Sequence, residues 1–202
     1  MGIKIDNQLK FAVHIQSVVK KAYQRLGVLF RGFVSRDPKL LTLAYITYIR
    51  PILEYCSVVW SPFLLKDIDV LEGVQRYFTR RIAGLKIFGY KERLHILDLE
   101  SLEERRLKND LVMCYKIMNN LVDLELVNFF KLSNGVTRGH SQKIVKPLVK
   151  NSKLQNLFQN RVVDSWNFLP NHIVTSKSIK SFKNGLNTIN FDLFLIGRAL
   201  VD

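Results

Sequence analysis

Apolar residues recur at three- and four-residue steps along most of the chain, and one stretch departs from that rhythm by being apolar almost throughout: Leu43 to Pro62, LAYITYIRPILEYCSVVWSP. A surface helix shows a single apolar stripe. A segment carrying Tyr45, Ile46, Ile49, Ile52, Leu53, Cys56, Val59 and Trp60, with only Arg50 and Glu54 charged, is therefore expected to be buried on more than one side. Pro51 removes a backbone donor and suits a first helical turn, so the pattern predicts two helices meeting at Arg50-Pro51, with the proline opening the second.

The flanking segments read as amphipathic helices seeking that core. Gly2 to Asn7 reads as the end of a strand entering a turn, with Asn7 or Asp6 as a cap. The helix that follows places Phe11, Ile15, Val18, Ala22, Leu26, Leu29 and Phe33 inward and Lys20, Lys21 and Arg25 outward. Ser35, Asp37 and Pro38 signal the next helix start. Asp67 is expected to cap a helix whose stripe is Ile68, Leu71, Val74, Phe78 and Ile82, ended by Gly84 in a left-handed turn. Ser101 with Glu104 forms a capping box for a helix over 102–121, burying Leu107, Leu111, Cys114, Met118 and Leu121. Lys131 to Lys153 shows no helical period and reads as an extended basic loop. A last pair follows, one helix with Leu154, Leu157, Phe158, Val162, Ser165 and Trp166 inward and another opened by Ser178 with Ile179, Phe182, Leu186 and Ile189, separated by Leu169-Pro170. The fold class is all-α, a multi-helix domain with a kinked central helix pair and at most a short β remnant at the N-terminus. One domain is the simplest count. Any division would run 1–121, a basic loop over 122–152, and a helical pair over 153–202.

Composition adds charge to this picture. The 202 residues are 48% hydrophobic, enough to bury a core, and the formal net charge is +14 from 31 basic and 17 acidic side chains. Such a balance favours a polyanionic partner, with solubility alone as the plainer reading. Both halves share it: residues 1–100 hold 16 basic and 9 acidic side chains, residues 101–202 hold 15 and 8. Cys56 and Cys114 both fall inside apolar helical patterns and read as small buried hydrophobes in a reducing compartment. No apolar run reaches the roughly 18 residues of a membrane span, and an intracellular, soluble protein is expected.

Five segments resemble, in order and spacing, the C-terminal part of the reverse transcriptase of non-LTR retrotransposons of the jockey and CR1 type: YIRPILEYCSVVWSP (48–62), LEGVQRYFTRRIAGL (71–85), YKERLHILDLESLEERRLKNDL (90–111), TRGHS (137–141) and RVVDSWNFLP (161–170). Together they span residues 48–170. The resemblance implies the thumb and downstream region of an RNA-directed DNA polymerase, which follows the palm and helps to hold template and primer. Two-metal phosphoryl transfer needs carboxylates that hold two divalent ions about 3.5–4 Å apart. The family supplies them from an aromatic-Ala-Asp-Asp hairpin and a further upstream aspartate. This chain has no Asp-Asp dipeptide. The expectation is a non-catalytic piece of such a polymerase, with no catalytic residue, metal, cofactor or small-molecule substrate.

Two acid-free basic stretches are the candidates for nucleic-acid contact. In Gly73 to Lys91, Arg76 and Arg80 are four apart and so share a helix face beside Tyr77, with Arg81, Lys86 and Lys91 following. In Lys131 to Lys153, Gly139 allows close backbone approach to a phosphate, while Arg138, His140, Lys143 and Lys146 supply donors and charge. Either can equally be a solvated helix surface or a flexible loop. Binding is expected to be weak and non-specific. Trp166 could stack on a base, but its place in a helical stripe favours a core anchor. The carboxylates Asp67, Asp69 and Glu72 sit where a helix dipole favours negative charge, which outweighs an acid–base reading. The four histidines lie far apart and away from the cysteines, against a structural metal. The competing function class is a helical protein-interaction or structural module, which predicts an exposed apolar patch.

Overall fold

The apolar stretch sets the architecture by being broken twice. The computed structural model describes residues 2–6, 9–133, 139–149 and 152–197. In it α2 (Pro38–Tyr48) ends at Ile49, α3 (Arg50–Glu54) opens with Pro51 in its first turn, and α4 (Ser57–Trp60) follows a left-handed residue, Cys56 at φ 53°. The break at the proline is as expected. The second break is not, and it rewinds the helical phase: Tyr45, Ile49, Leu53 and Trp60 are buried, whereas Cys56 and Val59 are exposed. Dense apolar spacing overestimated burial here because the chain does not continue as one helix.

The fold is all-α. Two units divide the chain, one of residues 1–105 with 195–202 and one of 106–194. The boundary falls inside α7 (Leu102–Met118), not in the 122–152 loop.

In the first unit, α1 (Ala12–Gly32) buries Ile15, Val18, Ala22, Leu26 and Leu29 against α3 and α5. It starts later than the sequence suggests: Phe11, itself left-handed, precedes it, and no side chain caps it. Asn7 lies outside the described residues, and Asp6 accepts the Lys10 amide at 3.1 Å in the turn ahead. No strand forms at residues 2–6. That segment has no ladder partner; the Lys4 amide donates instead to Nδ1 of His14, whose ring meets Trp60 edge-on at 5.1 Å. Asp37 caps α2 through the Leu40 amide at 3.0 Å, as Pro38 at the first turn implied. Helix α5 (Leu65–Arg80) buries the full predicted stripe of Ile68, Leu71, Val74, Phe78 and, just past its end, Ile82. Leu64 holds the N-cap position, so Asp67 lies within the first turn of this helix and is not its cap. Gly84 turns the chain at φ +80° toward α6 (Tyr90–Ile96).

Helix α7 begins in the first unit, with Ser101 accepting the Glu104 amide at 3.1 Å, and in the second unit it ends at Met118, followed by left-handed Asn120 that leaves Leu121 exposed. Residues 131–133 and 139–149 form no helix, and an antiparallel bridge joins Leu132 to Ile144. Then come α8 (Ser152–Gln155), α9 (Phe158–Phe168), α10 (Asn171–Val174) and α11 (Ile179–Leu186). Leu154 is exposed, and Ser178 caps α11 through the Ser181 amide at 3.1 Å. The core joins α7, α9 and α11: Phe182 stacks on Tyr115 at 4.3 Å and lies 6.0 Å from Trp166.

Candidate nucleic-acid interface

The basic end of α5 is held from beneath by a buried polar chain. Tyr45 donates to Gln75 Oε1 at 3.0 Å; Gln75 Nε2 donates to Tyr90 Oη at 3.0 Å and to the Glu100 carbonyl at 2.9 Å. Tyr90 donates in turn to Glu72 Oε2 at 2.7 Å, and Glu72 Oε1 accepts the Glu103 amide at 2.8 Å in the first turn of α7. Burial, and then the Glu72 carboxylate, push the Tyr90 phenol far above its ordinary range, so it remains a donor at any ordinary pH. The side-chain polar atoms of Tyr45, Gln75, Tyr90 and Glu72 are thus all partnered, which is the condition for such a network to stabilise the fold.

Arg93 holds the loop that carries the cations. It is buried, its Nε donates to Thr79 Oγ1 at 3.1 Å, its Nη1 donates to the Phe88 carbonyl at 2.6 Å, and its guanidinium lies 5.6 Å from the Tyr90 ring centre. Burial and then nearby Arg80 lower its pKa, though an arginine stays charged. On this platform Arg80, Arg81 and Lys86 are exposed. Arg81 donates to the Tyr77 hydroxyl and lies over the rings of Phe30 at 5.1 Å and Tyr77 at 5.2 Å. Arg80 and Lys86 have no carboxylate partner among the described residues. Arg76 departs from the expectation of one shared face: its guanidinium pairs with the Asp69 carboxylate, donates to the Asp69 carbonyl at 3.0 Å, and lies 5.8 Å from the Tyr90 ring centre. A charge four residues from Arg80 is on the same helix face, but a carboxylate two turns further back has drawn it in.

The three neighbouring carboxylates serve three separate ends. Asp69 pairs with Arg76, Glu72 joins the buried chain, and Asp67 is buried, with desolvation raising its pKa against the pull of Lys66. Among the described residues no group of three His, Cys, Asp or Glu side chains is placed to hold a metal ion.

The second basic stretch is built inward. Arg138 lies outside the described residues. His140, expected to offer a donor, is only 3% exposed; its Nε2 donates to the Trp166 carbonyl at 3.0 Å and its Nδ1 accepts the Gln142 amide at 3.2 Å. That pattern requires the neutral ring, and burial lowers the pKa of His140 accordingly. Trp166 Nε1 donates to the Gln142 carbonyl at 2.8 Å, which makes Trp166 a buried anchor. The Asn167 amide mimics a neighbouring strand, accepting the Ile144 amide at 2.9 Å and donating to its carbonyl at 2.8 Å. Gly139 has φ +114°, but the space beside it is taken: an added Cβ would stand 2.8 Å from Lys143 Cε. Lys146 pairs with Asp164 on the surface. His140 and Gln142 on one side and Trp166 on the other are thus two sides of one lock. A further buried pair in this unit, Arg161 with Asp110 at 2.8 Å, ties α9 to α7. Of the eight predicted residues, Arg76, Arg80, Arg81 and Lys86 belong to the first unit and Arg138, His140, Lys143 and Lys146 to the second.

Arg93 and Gln75 were missed as positioning residues. The signal was present for both, since Glu72, Gln75 and Thr79 fall at the spacing of the apolar stripe of α5, and Arg93 follows the buried Tyr90 by three residues on α6.

An exposed apolar cleft also occurs in the first unit, about 530 Å³ in volume, lined by the C-terminal half of α1 and the end of α2 with α3. Among the described residues no helix is long and apolar enough to cross a membrane.

No family model matches the chain. A Caenorhabditis elegans protein, named only as uncharacterized protein B0403.1, is 24% identical over 139 residues, covering 67% of this chain and 70% of its own length. No solved structure matches.

Proposed function

We propose that the chain is the thumb and C-terminal region of a non-LTR retrotransposon reverse transcriptase, and that it holds RNA or DNA by its phosphates without carrying out nucleotidyl transfer itself. The observation that supports contact with nucleic acid is the exposed, acid-free group of Arg80, Arg81 and Lys86, at the end of α5 and on the loop that Arg93 fixes to it. Phosphates are recognised by such cations with little regard to sequence. The family origin rests on the five resembling segments, and the absence of transfer chemistry rests on the lack of an Asp-Asp pair in the sequence.

Two measurements test this reading. On a primed RNA or DNA template with Mg²⁺ or Mn²⁺ the purified chain is expected to incorporate no nucleotide, and primer extension abolished by replacing one of its own acids would overturn that half. Binding to a single strand is expected to weaken with salt, with a log–log slope of about −2 to −3 for three to four engaged cations. Affinity constant from low to high salt would overturn the other half.

A further inference from the structure

The apolar cleft of the first unit uses none of the residues assigned to phosphate contact, so it stands or falls separately. Its floor is Leu29 and Ile49, both buried, and its walls are the exposed side chains of Val28 and Tyr48, 55% and 64% accessible. The sequence leaves it open for two reasons. The chain turns at Ile49 because Pro51 opens a new helix, so α2 stops short of covering the end of α1. Arg36 then fixes that end by donating to the carbonyls of Phe30 at 3.2 Å and Phe33 at 2.8 Å. The cleft is a fixed concavity between helix ends.

Its rim has one sign. Lys21 and Arg25 line it one helical turn apart, and Val28 continues the same face of α1. Neither α1 nor α2 contains a carboxylate, while α1 carries Lys20, Lys21, Arg25 and Arg31. An occupant must therefore bring apolar side chains for the floor and negative charge for the rim. A second copy of a chain with net charge +14 brings the wrong sign. A nucleic-acid strand brings the right sign, but its phosphates find no donors along the apolar floor. An amphipathic helix with an apolar stripe flanked by Asp or Glu satisfies both demands, in the helix-in-groove manner.

We propose that this cleft docks an acidic amphipathic helix of a partner protein. The test uses the full chain and a fluorescein-labelled 18-residue helical peptide with Leu at i, i+3, i+4 and i+7 positions and Glu beside them. Two control peptides exchange every Glu for Lys or every Leu for Ser. The expected result is saturable one-site binding by fluorescence anisotropy, at least tenfold tighter than for either control. Lys21→Glu with Arg25→Glu should weaken it at least tenfold, as should Val28→Ser with Tyr48→Ser, and Arg80→Gln with Lys86→Gln should leave it unchanged. All four positions of the first two variants are at least partly exposed, and circular dichroism checks that each variant retains the parent's helicity. No saturable binding of the Leu/Glu peptide, equal binding of the Lys peptide, or parent-like binding by the folded charge-reversal variant would overturn the proposal. So would saturable binding of dodecanoate in the cleft with no peptide bound, which would assign the cleft to a small amphiphile.

Discussion

The two acid-free basic stretches look alike as sequence and differ as structure. At the end of α5 the polar groups that could collapse inward already have partners below them, in the Tyr45–Gln75–Tyr90–Glu72 chain and in Arg93, and the cations above are left at the surface. Over residues 139–149 there is no helix to satisfy the backbone, so side chains do it: His140, Trp166 and Asn167 are spent on the amides and carbonyls of Gln142 and Ile144. An extended segment must find partners for its backbone groups, and a polar residue used for that purpose is not available to a ligand. The presence of basic residues says little; what holds the backbone beneath them decides whether they face outward.

The largest effect is expected where the inward-built loop is anchored. Trp166→Ala removes a fully buried indole and strands the Gln142 carbonyl, and should cost about 3–5 kcal/mol in chemical denaturation. A variant as stable as the parent but weaker on single strands would reverse the comparison by making Trp166 a stacking surface. Next comes the support beneath α5. Gln75→Met leaves the Tyr45 hydroxyl and the Glu100 carbonyl without their partner and should cost about 2–4 kcal/mol, since the retained volume of Met spares the site a cavity. It should also loosen the 81–89 loop, which hydrogen exchange at those amides would register, and unchanged exchange would separate the support from the loop.

A smaller effect distinguishes the loops by pH. His140 has a folded-state pKa below its ordinary value of about 6.5, so the unfolded chain binds more protons in that window, and stability rises with pH through it. On acidification below about 6.5, stability should fall in the parent and fall less in His140→Gln, measured as the pH dependence of the melting temperature. His14 shifts in the same direction and remains in both proteins, so the difference between the two profiles, rather than either profile alone, reports His140. Identical profiles would mean that His140 binds protons equally in the folded and unfolded chain, against its burial as a neutral ring.

Much of the fold was legible because it depends on neighbours in sequence. The stripe of α5, the caps Asp37, Ser101 and Ser178, and the break at Pro51 are all set within one or two turns. The exposure of Cys56 and Val59 was not, since a left-handed residue resets the helical phase without a glycine to announce it. The site was harder still. Arg76 looked free because its partner Asp69 is seven residues back, and His140 looked available because its partners are the chain's own backbone, up to 26 residues away. Charge and spacing identify where cations cluster, but not which of them the fold has already used.

The most direct test of this account is the salt dependence of single-stranded RNA binding in two variants of the full chain. Arg80→Gln/Arg81→Gln/Lys86→Gln should flatten the log–log slope by about two units, at roughly 0.7 per phosphate contact, while Lys143→Gln/Lys146→Gln should leave it within about half a unit of the parent. Equal flattening by both, or a first-unit triple variant that binds like the parent, would contradict the claim that the outward-facing basic end of α5, and not the inward-built loop, is the surface that meets phosphate.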